Sequence, residues 1–110
     1  MTEFGNEDGW RYAKTPDGWI TATKTYEFDS VASYTTLAGG YGGYSVSNIL
    51  LPFKMLSDNY SVYVDGMVGN SFTLYASAVK TAEKCTVYLM SSATGTQKIK
   101  ITVTVMGYLA

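Results

Sequence analysis

The segment 98–108, KIKITVTVMGY, alternates polar and apolar side chains almost without interruption. A period of two is that of a β-strand with one buried face and one solvated face. Full burial of four aliphatic side chains stabilises a fold by roughly 6–12 kcal/mol, as an upper bound. The chain is therefore predicted to be a β-protein whose last strand lines the core. The four inward-facing residues are Ile99, Ile101, Val103 and Val105.

Strand-like patterns, separated by turn signals, recur along most of the chain. Pro16 and Gly18 predict a turn that joins the first two strands in a hairpin. The tail is predicted to pair with the strand before it in a second hairpin, and the second half of 71–80 also has the composition of a short helix. We predict an all-β antiparallel sandwich of about seven short strands. Besides the tail, the predicted strands are 10–14, 19–28, 48–53, 60–67, 71–80 and 85–91.

The ends and the middle of the chain are less regular. Residues 1–8, MTEFGNED, are polar and show no period, so they are predicted to be a flexible N-terminal linker. Residues 9–110 are predicted to form a single domain, which is large enough to be stabilised by one core. Residues 35–47 form the least regular stretch of that domain.

Charge and cysteine content exclude several classes of function. Charged residues make up 15% of the chain, the net charge is −1, and the basic residues are scattered, which disfavours nucleic-acid binding. No apolar run reaches the roughly 20 residues of a membrane span, and the start does not resemble a signal peptide. Cys85 is the only cysteine and is predicted to be a buried apolar residue. The absence of paired cysteines favours intracellular synthesis, or release by lysis.

The residues needed for common catalytic chemistry are missing. The chain has no histidine, which excludes Ser-His-Asp and Cys-His catalysis and zinc sites built from Cys and His. Glu27 and Asp29 could share a strand face, and Asp58 and Asp65 could approach each other through a bend. Asp58 with Asn59 could offer oxygen ligands to calcium. Surface carboxylates are the favoured interpretation of all of these. We therefore predict no catalytic residues, no metal and no cofactor.

Glycine and tyrosine cluster in residues 39–44, GGYGGY. The cluster lacks the lysine of a phosphate-binding loop. It fits either a connector that packs against a neighbouring subunit or a recognition loop in which tyrosine supplies contact area. Exposed aromatic residues could stack on sugar rings or fill a subunit interface. The candidates outside the core phase are Trp19, Tyr34, Tyr41 and Tyr44.

The order of three motifs resembles a known family. Residues 10–14, WRYAK, are followed by Asp17-Gly18, then by 49–53, ILLPF, and finally by a strand that closes with Gly107-Tyr108. In this order they are similar to the C-terminal receptor-binding domains of tail-fibre and baseplate proteins from phages and prophages of Gram-positive bacteria. The resemblance covers residues 9–110.

The resemblance implies a viral adhesin. Its members are host-recognition modules at the distal tip of the virion tail, usually homotrimers, which are made in the bacterial cytoplasm and released by lysis. Their partners are cell-wall polysaccharides or other surface glycans, and they bind without cutting. Burial against two further subunits would also explain the low charge and many aromatic residues. Two alternatives remain: a structural trimer-forming tip without a ligand, and a carbohydrate-binding module of a cell-wall enzyme.

Overall fold

The structure, a computed structural model, describes residues 1–33, 35–36 and 40–110, with only the backbone described at 35–36 and 72–77. This part of the chain consists of strands, turns and loops. The strands are β1 (Glu3–Glu7), β2 (Trp10–Lys14), β3 (Trp19–Val31), β4 (Thr35–Thr36), β5 (Gly42–Leu50), β6 (Ser61–Val68), β7 (Ser71–Lys80), β8 (Lys84–Ser91) and β9 (Gln97–Tyr108). No helix in the described residues is long and apolar enough to cross a membrane.

The strands follow one hydrogen-bonded order, β1-β2-β3-β9-β6-β7-β8-β5-β4, which folds into two antiparallel layers. A five-stranded sheet holds β1, β2, β3, β9 and β6, and a three-stranded sheet holds β7, β8 and β5 with short β4 at its edge. β6 and β7 form a hairpin but share only two residue pairs, Met67–Phe72 and Val68–Ser71. The hairpin therefore carries the chain from one sheet to the other. The predicted β-sandwich is confirmed, and residues 71–80 form a strand rather than a helix.

The N-terminal residues differ from the prediction. Glu3–Glu7 form β1, which pairs with β2 along its whole length, whereas residues 1–8 were predicted to be a linker. The signal that the prediction missed is the dipeptide Asp8-Gly9, whose φ angles are 51° and 85°. Two consecutive positive φ values are those of a type I′ hairpin turn, for which Asp-Gly is a preferred sequence.

The predicted hairpin between the last two strands is wrong. β8 pairs with β5 and β7, whereas β9 pairs with β3 and β6. Both strands bury one face in the same core, so alternation predicts each strand but not the sheet to which it belongs. Residues 92–96 connect them, and an extended chain of this length spans roughly 16 Å. That span is sufficient to cross the ~10 Å between packed sheets.

β5 also starts earlier than predicted. Residues 42–46, part of the stretch predicted to be irregular, pair with β8. The strand predicted over 48–53 is the end of this longer strand, which stops at Leu50. A β-bulge at Asn48, whose φ is 56°, shifts the register so that Ile49 still faces the core.

The core lies between the sheets and contains the residues predicted from the tail. The four aliphatic residues of β9 are each at most 1% exposed, which confirms the opening prediction. The three-stranded sheet meets them with an alternating apolar face of its own. Its buried residues include Tyr44, Val46, Ile49, Cys85, Val87 and Leu89.

The segment after β5 packs across β2. The rings of Tyr12 and Phe53 meet edge to face with centroids 5.1 Å apart. The ammonium of Lys14 lies 5.1 Å from the centre of the Phe53 ring, and Nε1 of Trp10 donates to the carbonyl oxygen of Leu50 at 3.1 Å. Two of the motifs that carry the family resemblance therefore form a single packing unit, although they are far apart in sequence.

Candidate ligand-binding face

The five-stranded sheet presents one face away from the three-stranded sheet, and we call it the outer face. Its centre is formed by residues of β3 and β9 that alternate with the buried ones. Directly paired residues share a face, so the register places threonines side by side on these two strands. They are Thr21, Thr23, Thr25, Thr102 and Thr104.

Hydroxyl groups bridge the two central strands. The Oγ1 atoms of Thr23 and Thr104 are 3.3 Å apart, and those of Thr25 and Thr102 are 3.1 Å apart. The nearest charged side chains on this face are Arg11 on β2, opposite Thr23, and Asp65 on β6, opposite Thr102. The centre of the outer face is therefore polar but uncharged.

An exposed aromatic pair ends this face. Trp19 opens β3 and pairs with Tyr108 at the end of β9. Their ring centroids are 5.0 Å apart at an interplanar angle of 81°, and the residues are 36% and 49% exposed. The N–H of Leu56 donates to the carbonyl oxygen of Tyr108 at 2.9 Å, which holds the end of β9 in place. We call Trp19 and Tyr108 the aromatic corner.

The backbone around the aromatic corner is fixed by hydrogen bonds within the turn before β3 and between this turn and the residue that follows β9. The N–H of Gly18, at a φ of 93°, donates to the carbonyl oxygen of Thr15 at 3.0 Å, and the N–H of Leu109 donates to that of Gly18 at 2.8 Å. The hydroxyl of Thr15 also donates to the Asp17 carboxylate. This bond holds the pKa of Asp17 below its ordinary value, so an ionised acceptor sits in the turn beside Trp19.

Of the predicted ligand-binding residues, the three that the structure describes do not lie together. Trp19 lies at the aromatic corner, and Tyr34 lies outside the described residues. Tyr41 is 37% exposed, but it precedes β5 near Ala93, just before the start of β9. Trp19 meets the other end of β9, a strand roughly 35 Å long at its usual rise. The two exposed aromatic residues therefore occupy opposite ends of the molecule.

The assignment of Tyr44 to a ligand site is wrong. Tyr44 is 0% exposed, and its hydroxyl donates to the carbonyl oxygen of Gly95 at 2.7 Å. Because β5 begins at Gly42, strand alternation turns Tyr44 toward the core rather than into a loop. Burial raises the pKa of its phenol above the ordinary value. The tyrosine is a structural residue that ties β5 to the connection between β8 and β9.

The carboxylates considered for catalysis or metal binding are dispersed. Glu27 pairs with Lys100, with Oε1 and Nζ 3.3 Å apart and both side chains exposed. Asp58 lies in the loop before β6, and Asp65 lies on the outer face. In the described part of the chain, no three Asp, Glu, Cys or His side chains lie close enough together to hold a metal ion.

Cys85 is a core residue, as predicted. It lies on the inward face of β8, and burial raises the pKa of its thiol to about 11, although the nearby Lys80 ammonium acts in the opposite direction. Only the thiolate is an effective nucleophile. At neutral pH the thiol is therefore protonated and inert.

Burial of this thiol makes stability depend on alkaline pH. The thiolate forms at an ordinary pKa of 9.0 in the unfolded chain but at about 11 in the fold, so the stabilisation is complete below pH 9 and is lost as pH rises through 11. The free energy of unfolding should fall by at most about 1.4 kcal/mol per pH unit over this window. Urea unfolding of the wild type and Cys85→Ala from pH 8 to 11 measures this difference. Parallel stability curves for the two proteins would contradict it.

Comparisons with known proteins assign no family. No protein-family model matches the chain, and no curated protein or solved structure matches it significantly.

Tyr108 and the threonines are the surface residues that the sequence argument missed. Alternation along 98–108 already places Thr102, Thr104 and Tyr108 on one solvated side. The partner strand was not readable, because β3 and β9 are separated by most of the chain. Only that pairing shows that Trp19 and Tyr108 form one surface.

Proposed function

We propose that this chain is a non-enzymatic host-recognition module of a phage tail fibre or baseplate, and that it binds a bacterial surface glycan through the aromatic corner. The observation that carries the proposal is the exposed Trp19–Tyr108 pair at the end of a face whose centre is uncharged and rich in hydroxyl groups. The motif order shared with receptor-binding domains supports the same function and a location at the distal tip of the virion tail.

The chemistry of the aromatic corner suits a sugar ring. The electron-rich faces of the two rings attract the polarised C–H groups of a pyranose, and the indole N–H and the phenol provide polar ends. Threonine hydroxyls on the adjoining outer face can both donate to and accept from sugar hydroxyls. A neutral sugar residue requires no strong charge in such a site, in agreement with the uncharged centre of the face.

Assembly as a homotrimer would raise the affinity. A single shallow aromatic site binds weakly, but three copies on one fibre tip convert later binding events into intramolecular ones. The gain requires that the three corners reach one polysaccharide or one cell surface together. We therefore expect strong attachment to cells and weak binding to short oligosaccharides.

A second candidate is a structural tip whose outer face lies between subunits. The specific observation in its favour is that the centre of the face lacks charge, since charged residues are depleted in the centres of protein interfaces. In that arrangement the threonine ladder would be buried in the trimer, and the module would have no ligand of its own.

The test is binding of the labelled chain to polysaccharides purified from Gram-positive cell walls, with its mass measured by light scattering. We expect saturable binding by a trimer, and Trp19→Ala should weaken it about tenfold, which corresponds to about 1.4 kcal/mol. Circular dichroism should show that the variant remains folded, because the side chain is partly exposed.

Tyr41→Ala is the matched control, since it removes an equally exposed aromatic side chain from the opposite end of the molecule. Its binding should equal that of the wild type. Weaker binding by Tyr41→Ala alone would instead move the site to the glycine–tyrosine cluster at residues 39–44. A stable trimer that binds none of the polysaccharides would support the structural tip, and a monomer that binds would support a carbohydrate-binding module of a cell-wall enzyme.

A further inference from the structure

The outer face carries a second feature at the end away from the aromatic corner. A cleft of about 370 Å³ opens there between the β6–β7 turn and the first half of β9. Its lining combines charged, amide and hydroxyl groups with one apolar side chain. The side chains that line it are those of Asp65, Met67, Asn70, Lys98, Lys100 and Thr102.

The β6–β7 turn holds one wall of the cleft in place. Gly69, at a φ of 59°, donates its N–H to the carbonyl oxygen of Lys98 at 2.6 Å. This φ lies in the left-handed region that favours glycine, and a Cβ atom at Gly69 would displace only the end of the Gln97 side chain, whose Oε1 would lie 2.7 Å away. Beyond the turn β7 passes to the other sheet, which leaves the outer side of the cleft uncovered.

The two lysines of the cleft differ in their ion pairing. Lys98 and Lys100 lie two residues apart on the same face of β9, which places their Cα atoms roughly 7 Å apart. Lys100 is paired with Glu27, whereas Lys98 has no ion pair within the described residues, and Asp65 is the only carboxylate in the lining. The cleft therefore offers an ammonium group that is available for an anion.

The remaining groups match the rest of an acidic sugar. The Asp65 carboxylate and the Asn70 amide oxygen accept hydrogen bonds, as sugar hydroxyls require, and the partly exposed Met67 offers an apolar wall to ring C–H groups. A simple anion would gain nothing from these groups, and Asp65 would repel it. A sugar that carries both hydroxyls and an anionic substituent uses all of them.

We propose that this cleft binds an acidic sugar residue, with its carboxylate or phosphate on Lys98 and its hydroxyls on Asp65 and Asn70. The inference rests on the proposed function, because it assigns the glycan an acidic component. It also gives the outer face two subsites, an aromatic one for the ring of a neutral sugar and a polar one for an acidic sugar.

Nuclear magnetic resonance of the ¹⁵N-labelled chain tests the cleft directly. Glucuronate, glucose 6-phosphate, glucose and inorganic phosphate are titrated at constant ionic strength. We expect saturable shifts of backbone amides in 65–70 and 98–102 with one or both acidic sugars, and smaller shifts with glucose or phosphate. The two acidic sugars distinguish a carboxylate ligand from a phosphate ligand. Shifts with inorganic phosphate equal to those with glucose 6-phosphate, or no shifts with either acidic sugar, would overturn the proposal.

Lys98→Gln should weaken binding of the acidic sugar by up to about fivefold, the upper end of the range for one exposed ion pair. Lys84→Gln is the matched control, because it makes the same charge change at an exposed position of β8. Equal losses of affinity in the two variants would show that acidic sugars are attracted by positive charge in general and not by Lys98. That result would overturn the proposal. Asn70→Ala keeps the net charge and should also weaken binding.

The two proposals fail in different ways. Polysaccharide binding that depends on Trp19 but shows no preference for acidic sugars would preserve the proposed function and eliminate the acidic subsite. Binding of acidic sugars in the cleft, without binding of any cell-wall polysaccharide, would eliminate the proposed function and leave an isolated sugar-acid site.

Discussion

Trp10→Ala is expected to lower the free energy of unfolding by about 3–5 kcal/mol, the cost of truncating a fully buried aromatic side chain. Trp10 is 0% exposed. Its indole connects the two sheets, because Nε1 of this β2 residue donates to the carbonyl oxygen of Leu50 at the end of β5. It also meets the ring of Tyr26 edge to face, with centroids 6.4 Å apart. Since a small domain has only about 5–15 kcal/mol of stability, the variant should be marginal at 37 °C. Urea unfolding followed by circular dichroism measures the loss.

Trp10→Phe separates packing from hydrogen bonding. It retains an aromatic ring but removes the N–H donor, which leaves the carbonyl oxygen of Leu50 without that partner. We expect a smaller loss, about 1–3 kcal/mol. A loss below about 1 kcal/mol for Trp10→Ala would show that the indole does not hold the sheets together.

Gly42→Ala should be strongly destabilising, because the added methyl group meets backbone atoms. A Cβ atom at this position would overlap the carbonyl oxygen of Ala93 and approach Cε2 of Tyr44 to 3.0 Å. The same carbonyl accepts the N–H of Gly42 at 3.1 Å, so neither backbone can move without breaking that bond. We expect a loss of about 3 kcal/mol or more, the upper end for an overpacked site. Chemical denaturation measures the loss.

Gly18→Ala provides the comparison for Gly42→Ala. Gly18 has a φ of 93° and no heavy atom within 4 Å of an added Cβ, so this substitution introduces backbone strain alone, about 1–2 kcal/mol. A smaller loss of stability for Gly42→Ala than for Gly18→Ala would contradict this prediction. It would mean that the connection between β8 and β9 can move away from the added methyl group without destabilising the fold. It would also favour the interpretation of the glycine–tyrosine cluster as a flexible connector.

The two stability predictions concern Trp10 and Gly42, which lie in motifs with different sequence patterns. WRYAK was correctly predicted to be a strand, because local alternation and the Pro16–Gly18 turn agree there. The cluster at 39–44 was interpreted as a connector or a recognition loop, because glycine carries no hydrophobic period. In the structure Gly42 and the residues after it form β5, where the missing side chain permits close contact with Ala93. Glycine composition alone cannot distinguish a mobile loop from a tightly packed strand.

The predictions for residues 1–8 and for Tyr44 were wrong because of features close to them in the sequence. Composition predicts a linker over residues 1–8, but Asp8-Gly9 is a strong hairpin signal and determines the turn between β1 and β2. Tyr44 was treated as a surface residue because the start of β5 was placed six residues too late. In both cases turn chemistry or strand register determined the outcome, and hydrophobicity alone was not informative.

The amino-acid sequence by itself determined the all-β class, the hairpin of β2 and β3, the burial of Cys85 and the inward face of β9. These features depend on contacts between neighbours in the chain or on a period of two, which any sandwich must bury. Only the tertiary structure decided that β9 lies between β3 and β6, that Trp19 stands beside Tyr108, and that two lysines share a cleft with Asp65. Alternation specifies which side of a strand is buried, but not which strand lies beside it. The candidate site depends on those pairings across the sheet.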